Sequence, residues 1–168
     1  AIEALWPSYQ AAMSDEGGQG GARIFTLSEQ MLEAADALTL MATRLAGIPE
    51  AHYVNMAGRN RMLSQRIGKF FLFREWPALQ ETIAELSPQV CAEFESNLRE
   101  LAQAAGQQPE LVAQIDVVAQ QWQKFIRALC PDLAHAGKSK HARLVLSEGD
   151  RLLRCVDTTV KLFERLSG

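Results

Sequence analysis

The sequence predicts an all-α protein, an antiparallel four-helix bundle with an additional N-terminal helical segment, on three observations. Apolar residues recur at helical spacing along nearly the whole chain. No segment alternates polar and apolar residues as a half-buried strand does. The breaks between the apolar stripes are short, and short links force successive helices to run antiparallel.

Each element has its own stripe. The first runs Ile24, Leu27, Met31, Leu38, Met41 and Leu45, after the glycine-rich stretch Asp15 to Gly21, which reads as a flexible link. A helix around Asn55 to Phe73 follows. The next stripe is Val90, Phe94, Leu98 and Leu101. Leu111, Ile115, Val118, Trp122, Phe125 and Leu129 form another, and Val145, Leu152, Val156, Phe163 and Leu166 the last. Helix-stop and helix-start residues mark the breaks at Gly47 with Pro49, Trp76-Pro77, Ser87-Pro88, Gln108-Pro109 and Pro131 to Gly137. This divides the chain into an N-terminal helical extension, residues 1–47, and a four-helix module, residues 48–168.

A weak internal echo accompanies that division. Trp6-Pro-Ser-Tyr9 followed by Ala22 to Gly47 resembles Trp122-Gln-Lys-Phe125 followed by Arg143 to Gly168, with Asp36, Arg44, Leu45 and Gly47 matching Asp157, Arg165, Leu166 and Gly168 at constant offset. Chance likeness between amphipathic helices is one reading; the tail of a preceding repeat is the other.

Bulk composition narrows the function. With 17 Lys+Arg against 20 Asp+Glu in 168 residues, the chain lacks the positive excess of a general nucleic-acid binder. No apolar run approaches the roughly 18 to 20 residues a spanning helix needs. The chain starts at Ala1 without a signal-like pattern, which suggests a processed protein or an excised domain. Cys91, Cys130 and Cys155 are too few and too scattered for a disulfide framework or a zinc site and read as small core residues.

The helix around Asn55 to Phe73 carries the chemistry. Turning about 100° per residue places Met56, Asn60, Leu63, Ile67, Phe70 and Phe71 on a core-facing stripe. Asn55, Arg59, Met62, Arg66, Lys69 and Phe73 lie on a mostly basic side that reads as solvated. The third face holds Val54, Ala57, Gly58, Arg61, Gln65, Gly68 and Leu72. A glycine inside a helix costs about 1 kcal/mol relative to alanine. Two on one face therefore point to close backbone approach, either by a helix of the same chain or by a second copy. Arg61 in such a contact needs an anion or a carboxylate. Five basic and no acidic residues between Asn55 and Arg74 make a local positive field suited to a small oxyanion.

Asn55-Met-Ala-Gly-Arg-Asn-Arg-Met-Leu-Ser-Gln-Arg-Ile67 resembles the signature helix of the PilJ-type sensor domain, the type IV pili methyl-accepting chemotaxis transducer N-terminal domain. More loosely, the likeness extends from Ile48 to Gly168. The resemblance implies a periplasmic signal-input bundle, similar to those of nitrate and nitrite sensor kinases, that binds a small anion at a homodimer interface and passes a helix displacement to an output domain or partner protein. In those kinases the matching helix supplies a glycine and an arginine from each subunit, which correspond here to Gly58 and Arg61. With the wheel, the expected ligand-binding set is Arg61, Gly58, Ala57, Gln65 and Val54. No cofactor, metal, nucleic acid or catalytic residue is expected.

Other classes fit less well. No Ser/His/Asp or Cys/His arrangement, phosphate loop or di-metal spacing is present, which argues against an enzyme. His52, His135 and His141 are poorly placed for haem ligation. The rival is a helical dimerisation or protein-interaction module without a ligand, in which Arg61 pairs with a carboxylate of its partner.

Overall fold

The computed structural model describes residues 2–14, 20–47, 51–130 and 138–167. Among these there is no strand. The helices are α1 (Ile2–Met13), α2 (Gly20–Ala46), α3 (Ala51–Phe73), α4 (Gln80–Ala105), α5 (Pro109–Ala128) and α6 (Lys138–Ser167), with a 3-10 turn at Pro77–Leu79 leading into α4. Helices α3 to α6 form the expected bundle: α3 packs on α4 and α6, and α5 on the same two. Side-chain pairs fix the directions. Asn60 of α3 donates to the Phe94 carbonyl and accepts from Asn97, while His52 meets Glu100, so α3 and α4 run antiparallel. Gln114 to the Cys155 carbonyl and Gln121 to Glu148 do the same for α5 and α6.

Burial follows the stripes. Leu63, Ile67, Phe70, Val90, Phe94, Val118, Trp122, Phe125, Val145, Leu152 and Val156 join one central core, in which Phe94 and Trp122 stack at 4.1 Å between ring centroids. The Trp122 indole N–H is satisfied by Glu95 at 3.0 Å, so the largest buried ring carries no orphan donor. A second core at the other end joins Met56, Ala57, Leu101, Leu111, Ile115, Val160 and Phe163. Cys91 and Cys155 are half-buried free thiols that burial pushes up in pKa, whereas Cys130 is exposed, against its expected place in the core.

Two breaks behave as read: Pro77 starts the 3-10 turn and Pro109 occupies the first turn of α5. Gly47, with φ of 63°, ends α2 in the left-handed conformation that favours glycine. The break expected at Ser87-Pro88 does not occur, because α4 runs through Pro88. The apolar positions Ile83, Val90, Phe94 and Leu101 keep one buried face across the proline. The Ser87 hydroxyl bonds the Ile83 carbonyl at 2.6 Å, giving the disturbed turn a side-chain donor. The connections at Pro49 and at Pro131 to Gly137, His135, and part of the Asp15 to Gly21 link lie outside the described residues, while Gly20 and Gly21 already belong to α2.

Helices α1 and α2 form a hairpin laid against the outside of α3. Phe25 anchors it between Phe70 and Phe73, each with a ring centroid 5.6 Å away. The start of α2 crosses close to the turn before α4: a Cβ on Gly21 would fall 2.4 Å from Trp76 Nε1. Only the first half of the α2 stripe is covered. Leu38, Met41 and Leu45 are exposed, Leu45 at 88%.

Candidate functional site

The basic side of α3 is not solvated, contrary to expectation; it is the docking surface for α2. Glu29 of α2, with 14% of its side chain exposed, accepts from Arg66 Nε at 3.0 Å and is bridged by Lys69. Burial pushes the Glu29 carboxyl up, but hydrogen bonds and charge from Arg66 and Lys69 outweigh it and leave its pKa below the usual range. Burial lowers the Lys69 pKa, and Glu29 restores only part. About two turns toward the N-terminus from Arg66, Arg59 is held from both sides by Glu93 of α4 and Asp36 of α2. The hydrogen bond to Glu93, followed by that to Asp36, raises its pKa against the cost of burial. These carboxylates lie far away in sequence.

Beyond Asp36, α2 stands clear of the bundle, and a groove of about 740 Å3 opens between it and α6, over the N-terminal half of α3. Its floor is Val54, Gly58, Arg61 and Met62; Leu32, Asp36, Thr39 and Thr43 of α2 form one wall, Val160 and Glu164 of α6 the other. A smaller groove of about 230 Å3 continues the same face past Gln65, Gly68 and Leu72. Among the described residues, no heavy atom outside the local backbone of α3 lies within 4 Å of a Cβ placed on Gly58 or on Gly68. Among the described residues, then, no helix of the same chain packs closely on these glycines.

The expected site residues separate on this geometry. Val54, Gly58 and Arg61 share the large groove. Gln65 lines the smaller one. Ala57 is fully buried in the core between α3, α4, α5 and α6, so no ligand in the groove reaches its side chain; at the wheel boundary, a small rotation moved it from the third face to the core. Arg61 is not an unpaired charge either. Its Nη1 donates to Asp157 Oδ1 of α6 at 3.0 Å, and Asp157 Oδ2 also accepts from Lys161 Nζ at 2.7 Å. Bonds from Lys161 and then Arg61 hold the Asp157 carboxyl below the usual range.

Sequence reasoning on α3 alone missed these carboxylates, yet the internal echo had marked two of them. Asp36 and Asp157, matched at constant offset, sit on the helices flanking α3 and reach Arg59 and Arg61, two residues apart. The α2 and α6 sides of the groove are thus built alike. Leu166 and Gly168 of the same echo fall where no side chain is described. Among the described residues, no cluster of His, Cys, Asp and Glu could hold a metal ion, and no helix is long and apolar enough to cross a membrane.

The described helices thus form an antiparallel bundle with an open, partly cationic groove on one helix. Consistent with this, the family model described as type IV pili methyl-accepting chemotaxis transducer N-term (PilJ) matches residues 49–151, and the chain belongs to that family. The match spans α3, α4, α5 and the first half of α6. It identifies a signalling input domain of the chemotaxis-transducer type, a class without catalytic function. No curated protein and no solved structure matches the chain.

Proposed function

We propose that the groove over Gly58 binds a small oxyanion, nitrate or nitrite, between two copies of the domain, and that occupancy is passed along α6 to an output domain or partner protein. The observation that carries this reading is the open space above Gly58 beside the half-exposed Arg61. A planar oxyanion fits a guanidinium because two parallel N–H groups grip it. The groove is far larger than such an ion and mostly apolar, so most of it is filled by the partner's helix, across a twofold axis that brings like residues together. Residues 48–168 form the sensing module in this reading, residues 1–47 an extension that walls the groove, and the whole acts in the periplasm, as is typical of the family.

The Arg61–Asp157 pair favours a second reading, a dimerisation module with no ligand, because the arginine already has a carboxylate. A thermal-shift screen of nitrate, nitrite, sulfate and phosphate separates the two. Binding to the native state alone stabilises by about 2.7 kcal/mol at a hundred times Kd, which for a chain of this size raises Tm by roughly 5 to 10 °C. Nitrate or nitrite producing that shift supports anion sensing; no shift with any of the four leaves the dimerisation reading in its place.

A further inference from the structure

Resting on the anion reading, we propose that Asp157 is a built-in competitor for the ligand: it occupies Arg61 in the empty domain, and an arriving oxyanion displaces it and frees α6 from α3 at that level. The two arginines of the groove differ in a way that supports this. Arg59 is gripped by carboxylates from two helices, Asp36 and Glu93. Breaking that arrangement would leave two half-buried acids with one less cation. Arg61 has Asp157 as its carboxylate, and the side chains of the pair are 50% and 32% exposed. Exposed pairs of this kind are weak, so a bidentate anion competes with them.

Displacement also leaves no orphan. Asp157 keeps Lys161, one turn along its own helix and bonded to its other oxygen at 2.7 Å. Gly58, one turn before Arg61, leaves the neighbouring space empty for the incoming ion. An apolar contact also ties this end of α6 to α3: Tyr53 stacks on Phe163 with centroids 6.0 Å apart. An apolar contact tolerates sliding better than a directional ion pair. Exchange of partners at Arg61 thereby converts a fixed register between α3 and α6 into a loose one, the differential interaction a ligand needs to shift an equilibrium.

The test uses nitrate calorimetry and amide hydrogen exchange on the full chain, on Asp157→Asn and Lys161→Met, and on Glu110→Gln, which removes an exposed ion pair with Arg165 outside the groove. Asp157→Asn should bind nitrate about two- to fivefold more tightly, the range expected from removing an exposed competing pair. Lys161→Met should bind more weakly, and Glu110→Gln as the parent does. Exchange separates competition from a plain charge effect: nitrate should speed exchange over residues 154–161 of the parent and leave it unchanged in Asp157→Asn, where the contact is already absent. If the parent binds nitrate but Asp157→Asn binds no better, or nitrate slows exchange in that segment, Asp157 is not a competitor and the anion reading stands. If no variant, including the parent, binds nitrate, both proposals fall together.

Discussion

Gly58→Ala should stabilise the ligand-free chain, the opposite of the usual effect of placing a side chain on a glycine that serves close packing. Glycine in the interior of α3 costs about 1 kcal/mol relative to alanine, and the added Cβ meets no heavy atom within 4 Å. With no clash to offset it, the gain is roughly 0.5 to 1 kcal/mol. For a domain of 150 to 250 residues this is a Tm increase of about 1 to 4 °C. Thermal melts followed by circular dichroism, at low protein concentration in anion-free buffer, measure it. Gly21→Ala is the contrast: its Cβ would lie 2.4 Å from the Trp76 ring, so the ring must shift and Tm should fall. At high concentration with nitrate present, the benefit of Gly58→Ala should disappear, since the methyl occupies space assigned to the ion and the partner. A drop in Tm for Gly58→Ala in the dilute, ligand-free protein would mean that the space over Gly58 is already filled and is not free for a ligand or partner.

Glu29→Gln removes the carboxylate shared by Arg66 and Lys69 and should cost about 1 to 3 kcal/mol of α2 docking, discounted from a fully buried pair for partial exposure; faster hydrogen exchange in α2 with α4 and α5 unchanged is the expected pattern. The same contact sets an acid limit. Because the folded pKa of Glu29 lies below its ordinary value of 4.5, its contribution is complete above that value and is lost as pH falls through the folded pKa; α2 protection that persists unchanged to pH 2 would contradict it. Pro88→Ala should raise Tm, because it restores a helical N–H within α4 and removes a residue that costs up to about 3 kcal/mol in a helix interior; an unchanged or lower Tm would show that the proline is needed where it sits. Gly58→Leu should abolish nitrate-dependent association in sedimentation while monomer helicity is retained.

The bundle was legible because burial in long helices follows one angular repeat: Leu111, Ile115, Val118, Trp122 and Phe125 are all buried as spaced. Pro88 misled because proline chemistry is local, whereas the stripe from Ile83 to Leu101 that carries the helix through it is spread over several turns. The basic side of α3 was misjudged for a similar reason. A helical wheel shows which residues share a face but not what covers it, and Glu29, Asp36 and Glu93 come from other helices. Arg61 pairs with an aspartate near the other end of the sequence, visible beforehand only as half of a faint repeat. The α2 stripe shows the converse limit: Leu38, Met41 and Leu45 have core spacing yet are exposed among the described residues.

The stoichiometry of nitrate binding decides whether one ion is held between two copies. In calorimetric titration the parent should bind one nitrate per two chains, and Arg61→Ala should show no binding heat while keeping its fold. Undiminished binding by Arg61→Ala, one ion per chain, or no binding by the parent would contradict an anion held between two copies at the Gly58 groove.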